Sequence, residues 1–271
     1  MASRLDVPPP FRSVDDVVGG LAALDRQFQA ARDLRGLFVM AYVATTDTIT
    51  RWIDQGAFLD NAAMTRYVVA FGNAYRRALE SRVAGEHWRV PAAWRQSFDA
   101  CDARTPGVYR CLMLGINAHI NRDLPHAVIE AGVNVNCAGC YQDYVRIDDV
   151  LRLNMPLVRR RIADAYGAEL PVSQRWLGHF AGSRIHRRFK HARRNSWEFA
   201  TLLARADTKT ARRRVYNLIE ERAENAGRKI LLSATGVGHI ASTAGTAAYN
   251  HYVRYFGDRR RHARGPVFFD R

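Results

Sequence analysis

The stretch GINAHINRDLPHAV, residues 115–128, decides the fold because it places ionisable side chains on the apolar face of a central helix. Its apolar residues follow helical spacing, and the helix is predicted to begin near Gly107. His119 and Asp123 are four residues apart and therefore project from one face on successive turns. Pro125 lacks an amide donor, so it predicts a kink or a helix end there. Buried groups of this kind need partners or a ligand.

The chain on both sides of this stretch has the patterns of further helices. Ser13 and Asp16 have the spacing of a capping box for a first helix, which Gly36 stops. Other helices are predicted from about Leu37 to Gln55, after Asp60 as a cap, around Trp94 to Phe98, along residues 143–167 with a break near Pro156, over about 182–205, and after Asp207 as a cap. No series of strands is visible. The predicted fold is all-α, a single multi-helix bundle with a buried polar site.

One helical domain spanning residues 1–271 is predicted, since no linker or repeat is visible. It is divided into a flexible N-terminus (1–12), a core (13–206), C-terminal helices (207–257) and a basic tail (258–271). Residues 231–253 are apolar and contain no Asp, Glu, Lys or Arg. Their Ser, Thr, Gly, Asn and His favour buried, closely packed helices over a membrane span.

The chain is strongly basic, with a net charge of +15. Only three of its 41 basic residues are lysines. This arginine excess is typical of a high-GC genome, so it is weak support for nucleic-acid binding, and no nucleic-acid-binding motif accompanies it. A basic surface still suits an acidic partner such as an acyl carrier protein. The N-terminus has no apolar run of signal-peptide length, which predicts a cytoplasmic protein.

Four cysteines do not form a disulfide framework. Cys137 and Cys140 make a single C-x-x-C, whereas Cys101 and Cys111 stand apart. A zinc ribbon needs a second pair, and a thioredoxin-like site needs a strand before the helix. Free thiols are the favoured interpretation, with a redox or metal role as the alternative.

The central stretch supplies the first candidate site residues. The spacing of His119 and Asp123 suits two ligands of one metal, or an imidazole oriented by a carboxylate. His126 lies just beyond the proline and could approach the same place. Asn117 and Asn121 form a parallel polar row that could orient a substrate. The alternative for all of them is a buried polar network that ties neighbouring helices together.

A second candidate group lies in YQDYVRIDD, residues 141–149. Asp148 or Asp149 can cap the following helix. Asp143 has no such explanation and is the preferred further carboxylate, with Tyr144 beside it as a substrate contact.

A third group lies in GSRIHRRFKHARRNSWEFA, residues 182–200. Arg193 or Arg194 and Trp197 fall on one side of a long helix, where they could hold an anionic substrate beside an aromatic wall. The alternative is a solvated basic face. Nucleophile-elbow, zincin, kinase and deaminase motifs are absent from the sequence, and so are the E-x-x-H pairs of a di-iron site.

The runs NAHINRDLP, DYVRID and ARRNSW resemble a family of largely uncharacterised helical proteins common in actinobacteria. The resemblance covers about Ser13 to Ala204, whereas the stretch beyond about Asp207 and the C-x-x-C depart from it. At position 148 the family often has Asn. The resemblance implies that the functional residues are Asn117, His119, Asn121, Asp123, Asp143, Asp148, Arg193 and Trp197.

The segment from His119 to His126 also resembles, faintly, the H-x-x-x-D and P-x-H elements of zinc-dependent phospholipase C and P1-type nucleases. Those enzymes are helical and use trinuclear zinc. Here the last histidine is too close in sequence, and the other histidine motifs of those enzymes are missing.

The leading functional hypothesis is an enzyme that acts on a small anionic or carbonyl-containing molecule by non-redox acid–base chemistry. His119 is the acid/base, Asp123 its partner and Asp143 a second carboxylate, while Arg193 or Arg194 holds the substrate. A cyclase or lyase that tailors a secondary metabolite such as a polyketide fits this hypothesis, and no cofactor is required.

Two alternatives remain open. One is a metal-dependent phosphoester hydrolase with zinc or a similar divalent ion on His119, Asp123 and His126. The other is a non-catalytic binding protein for an acidic partner, which predicts a poorly formed pocket around His119. A deep apolar pocket without metal-ligand geometry would favour the metal-free cyclase or lyase.

Overall fold

The structure, a computed structural model, describes residues 5–104, 107–166 and 183–232. All of its described helices fall within one compact unit, residues 1–241. No strand occurs in these ranges, so the predicted all-α fold is confirmed. The α-helices are α1 (Val14–Ala30), α2 (Gly36–Asp54), α3 (Asn61–Val83), α4 (Ala92–Ala103), α5 (Gly107–Asn117), α6 (Leu124–Glu130), α7 (Ala138–Tyr166), α8 (Ser183–Arg205) and α9 (Lys209–Leu232).

Helix caps explain where several of these helices begin. Ser13 Oγ accepts a hydrogen bond from the Asp16 amide at 3.1 Å, and Asp16 accepts one from the Ser13 amide at 3.0 Å, which confirms the predicted capping box. Asp60 caps α3, as predicted, through the Ala63 amide. The predicted cap of the last helix is wrong by one residue, since Thr208 Oγ1 accepts from the Ala211 amide ahead of α9.

Two predicted interruptions are not where the sequence suggests. Helix α7 continues through Pro156 without a break. Pro156 and Arg152, whose carbonyl loses its hydrogen bond, are both exposed, so solvent can satisfy that carbonyl. Gly36 begins α2 rather than stopping α1, because α1 already ends at Ala30 and a turn with Arg32 at φ 49° follows.

Residues 5–12, predicted to be flexible, pack against α3. Phe11 is buried, and its backbone exchanges two hydrogen bonds with the Asn73 side chain, at 2.9 and 2.8 Å. The Pro8 carbonyl accepts from Arg76 at 3.1 Å. The predicted C-terminal helices beyond residue 232, the buried segment over 233–253 and the basic tail lie outside the described residues. No helix of the described ranges has the length and apolar character of a membrane span.

A π-helical turn, Ala118–Asp123, joins α5 to α6 in the centre of the unit. The Leu124 amide donates to the His119 carbonyl five residues back. Pro125 follows directly. It has no amide to donate, and its ring crowds the carbonyl four residues earlier. The wider π turn accommodates both effects, so it occurs in place of the predicted kink. The π turn contacts α3, α4, α8 and α9, so the His119–Asp123 segment lies among four other helices.

Candidate functional site

An apolar cavity of about 120 Å³ lies beside the π turn. Helices α2, α3, α5, α7 and α8 contribute to its wall together with the π turn. The wall is mainly aliphatic and aromatic, including Ile49, Phe71, Leu112, Ile147 and Phe189. Cavities with a largely apolar lining and a few polar groups are typical of sites for small organic ligands.

His119 forms part of the cavity wall and is held in place by its neighbours. Its Nδ1 lies 3.1 Å from Asp123 Oδ2. The ring stacks on Phe71, with centroids 3.5 Å apart, and meets Tyr42 edge-on at 4.4 Å. The other ring nitrogen, Nε2, is buried and has no hydrogen-bond partner among the described residues. Nδ1 is therefore the donor to the carboxylate, and Nε2 is free to accept a proton.

The Asp123 side chain is completely buried, and both of its oxygens accept hydrogen bonds. Besides His119, Trp94 Nε1 donates to its Oδ2 at 2.9 Å and Arg122 donates to its Oδ1 at 3.0 Å. Burial acts to raise the pKa of Asp123, but the hydrogen bond from His119 and the charge of Arg122 outweigh it and hold the pKa below its usual value. Arg122 also binds Glu220 of α9 at 2.7 Å. The carboxylate is thus ionised within a chain of alternating charges.

Burial lowers the pKa of His119, and the neighbouring Asp123 only partly opposes this. The imidazole is therefore neutral at pH 7, which is the protonation state of a general base. When Nε2 accepts a proton, the ionised Asp123 stabilises the imidazolium that forms. The geometry provides a positioned base in an apolar environment.

Other polar groups also reach the cavity wall. The Tyr42 hydroxyl and Thr46 Oγ1 are buried and, within the described ranges, have no hydrogen-bond partner. Burial raises the pKa of Tyr42 well above its ordinary value, so its hydroxyl stays protonated and can donate. Arg193 also reaches the wall, but it binds Asp148 at 2.7 Å and the Tyr144 carbonyl at 2.6 Å.

Asp143 was predicted to approach His119 as a second carboxylate, and the structure contradicts this. Its two oxygens accept hydrogen bonds from the Leu59 and Asp60 amides, both at 2.8 Å, in the loop before α3. Phe71, which stacks on His119, comes eleven residues after Asp60. Eleven residues of helix span about 16 Å. Asp143 therefore fixes the start of α3 and lies far from the imidazole.

The position of Asp143 leads to a prediction. Asp143→Ala leaves two amides without their charged acceptor, so we expect the free energy of unfolding to fall by about 1–3 kcal/mol. Urea denaturation measures this change. The helical content should stay as in the wild type at a temperature where the variant is folded. An unchanged free energy of unfolding would contradict this role of Asp143.

The two asparagines of the central stretch are structural. Asn117 Nδ2 donates to the Ala223 carbonyl of α9 at 2.9 Å, and its Oδ1 accepts from Asn121 Nδ2 at 2.8 Å. Neither asparagine is part of the cavity wall. Their contacts match the buried network that the sequence left as the alternative to substrate binding.

The residues of the third candidate group have different environments in the structure. Of Arg193 and Arg194, only Arg193 reaches the cavity, while Arg194 is exposed and pairs with Glu198 at 3.6 Å. Tyr144 donates through its hydroxyl to the Arg193 carbonyl at 2.6 Å, and Trp197 packs on the Tyr144 ring at 4.8 Å. Tyr144 and Trp197 are therefore core residues behind the wall, and Tyr144, Arg194 and Trp197 do not line the cavity.

His126 does not join His119 and Asp123. Its ring stacks on Tyr216 of α9, with centroids 4.1 Å apart, and it is not part of the cavity wall. Burial, with a contribution from Arg122, lowers the pKa of His126 to about 3. In the described part of the chain no three His, Cys, Asp or Glu side chains are placed to hold a metal ion. The metal set predicted from the sequence is not assembled there.

His119, which is buried, and His126, which is half-buried, predict acid sensitivity. Both have a folded-state pKa below the ordinary value of 6.5, so below pH 6.5 the unfolded chain binds protons that the folded chain does not. The stability that comes from these histidines is fully present above pH 6.5. As the pH falls below 6.5, the free energy of unfolding decreases by about 1.4 kcal/mol per pH unit for each histidine that stays neutral in the folded state. Urea denaturation at pH 7.5 and pH 5 checks this, and His126→Gln should reduce the slope. Equal stability at both pH values would contradict it.

Several residues of the site were not predicted as functional. Tyr42, Thr46 and Phe71 belong to helices whose spacing marked them only as core elements, and Trp94 was placed on a short connecting helix. The sequence offered one chemical signal, which pointed to Trp94. A buried carboxylate needs hydrogen-bond donors, and an indole N–H is one of the few donors that an apolar helix supplies.

The fold and the site together define a class of protein: an all-α protein whose core holds an apolar cavity with a His–Asp pair at its wall. The chain belongs to a family of unknown function, DUF5995, whose model matches residues 14–233. The predicted membership of an uncharacterised family is thus confirmed, and the match extends past Asp207 to include α9. No significant match is found among curated proteins or among solved structures.

Proposed function

We propose that the protein is an enzyme that binds a small, largely apolar, carbonyl-containing molecule in this cavity and uses His119 as a general base. The observation that carries the proposal is the ring of His119 in the cavity wall, with Nδ1 held by the ionised Asp123 and Nε2 left free. A His–Asp pair that only ties neighbouring helices together does not require a cavity beside it. The cavity therefore favours a catalytic role.

Each group has a role in this proposal. Nε2 of His119 takes a proton from the carbon next to the carbonyl, and Asp123 stabilises the imidazolium. The Tyr42 hydroxyl and Thr46 Oγ1 donate hydrogen bonds to the oxygen on which negative charge develops. Arg193 is already paired with Asp148, so it shapes the wall rather than carrying the substrate's charge. The resulting enolate can close a ring or expel a leaving group.

The lining of the cavity supports a substrate class. Apart from a few hydroxyls, the His119 imidazole, the Asn154 amide and the paired Arg193, the wall is apolar, which suits a hydrocarbon framework with ketone oxygens, such as a polyketide. The proposal is therefore a cyclase or lyase of non-redox type in which the chain's own residues move the proton. A cytoplasmic location and delivery by an acyl carrier protein are further parts of it. The hydrolase alternative has less support because the structure separates its third ligand, His126, from the pair.

Deuterium exchange into 2-tetralone, a small apolar ketone, tests the proposal. Nuclear magnetic resonance in D₂O follows loss of the protons next to the carbonyl, with the wild-type protein and with Ala41→Phe, whose added ring would occupy the cavity. We expect the wild type to accelerate exchange and Ala41→Phe to remove the acceleration while retaining helical content by circular dichroism. Exchange at the buffer rate with the wild type, or equal rates with both proteins, contradicts the proposal.

A further inference from the structure

The start of α7 carries both cysteines of the C-x-x-C, and both are partly exposed. Cys137 is the N-cap residue: its carbonyl accepts from the Tyr141 amide at 3.2 Å, and its sulfur accepts from the Cys140 amide at 3.4 Å. Ser, Thr, Asp or Asn usually supplies that side-chain acceptor. A sulfur acting as the cap is stabilised by the helix N-terminus when it is a thiolate.

The two sulfurs have different environments. A hydrogen bond from the Cys140 thiol, followed by one from the Cys140 amide, lowers the pKa of Cys137. Burial and the same bond to Cys137 raise the pKa of Cys140 to about 11. Cys137 is therefore the nucleophilic sulfur of the pair, and Cys140 holds its proton until the charge on Cys137 is removed.

The backbone permits a bond between them. Positions three apart at the start of a helix have Cα atoms about 5 Å apart, inside the range of about 4.4–6.8 Å for disulfides. Both sulfurs can therefore join without unwinding α7. Leu59, which is 69% exposed, lies beside Gly139, the residue between the two cysteines that precedes Cys140. Cys101 and Cys111, in contrast, are buried.

We propose that Cys137 and Cys140 are a redox-active dithiol that exchanges with small-molecule disulfides such as oxidised glutathione. The Cys137 thiolate attacks one glutathione sulfur, forms a mixed disulfide and releases one glutathione thiolate. Cys140 then loses its proton to solvent and attacks Cys137 Sγ, which forms the intramolecular disulfide and releases the second thiolate. Two electrons pass from the cysteine pair to glutathione, and the released thiolates take up protons according to the pH.

The test uses the full reduced chain and oxidised glutathione, with alkylation of the remaining thiols and mass spectrometry. The wild type should lose two hydrogens, carry no lasting glutathione and yield a linked Cys137–Cys140 peptide. Cys140→Ser should accumulate glutathione on Cys137. Cys137→Ser should react at Cys140 at least about tenfold more slowly, because that sulfur lacks thiolate character. The double variant Cys101→Ala, Cys111→Ala is the matched control and should behave as the wild type does.

Three results overturn the proposal. One is a glutathione adduct that persists on the wild type, since it means that Cys140 does not resolve it. Another is equal reactivity of the two single variants, because the two sulfurs then have no distinct roles. The third is a disulfide that involves Cys101 or Cys111. Circular dichroism on each variant ensures that these outcomes are measured on folded protein.

Discussion

Replacing His119 with alanine should lower the rate of proton exchange into 2-tetralone by about 100-fold, the usual contribution of a positioned general base. The expected cause is the loss of Nε2, the ring nitrogen that has no hydrogen-bond partner among the described residues, on a side chain that lines the cavity. The ketone should still bind, because the apolar wall stays in place. Added imidazole should restore part of the rate by entering the space that the side chain leaves.

His126→Ala is the matched control for this result, since His126 is a half-buried histidine on the same central segment and is not part of the cavity wall. Its exchange rate should equal that of the wild type. A folded, fully active His119→Ala protein would refute the proposed site. If His119→Ala and the more conservative His119→Asn both unfold, the buried network is the better account of this residue.

Replacing Asp123 with alanine should give the largest loss of stability. The side chain is completely buried and joins Trp94, His119 and Arg122, so its removal leaves two ring N–H groups without an acceptor and a guanidinium with one partner fewer. Removal of one partner of a buried charge pair costs about 3–5 kcal/mol. Urea denaturation between pH 6 and 8 measures it, where the carboxylate, whose pKa lies below its usual value, is ionised.

Two further variants separate the parts of this effect. Asp123→Asn keeps the shape but loses the charge, so it should unfold more easily than the wild type and also lose exchange activity. Glu220→Gln removes only the outer contact of Arg122, at a partly exposed position, and should cost less than about 1 kcal/mol. An Asp123→Ala protein as stable as the wild type would show that the carboxylate does not hold these helices together.

The sequence predicted the helices and the central pair because both depend on local spacing. His119 and Asp123 are four residues apart in one helical segment, and this spacing does not depend on how the other helices pack. The sequence did not show the partners of Asp143, Asn117 and Tyr144, for one reason. The sequence shows that a buried polar group needs a partner, but it does not show which backbone amide or carbonyl of a distant helix will be that partner.

The sequence did not predict the other side chains of the cavity wall, for a similar reason. Tyr42 and Thr46 come from α2 and Phe71 from α3. Only the packing of those helices brings Tyr42 and Phe71 against His119 and Thr46 into the same cavity wall. Spacing marks such residues as buried, whereas the packing of the whole bundle decides whether they fill the core or surround a cavity.

The π turn also sets the rotational phase of the central helical segment. A hydrogen bond that spans five residues instead of four adds one residue to the turn, which offsets everything after it by about 100° relative to an uninterrupted α-helix. The inward face of α6 is therefore not the continuation of the stripe on α5. Deleting one residue between Ala118 and Asp123 would restore the common phase and turn either the imidazole or the inward face of α6 away from the core. The length of this turn is thus as much a part of the site as the side chains on it.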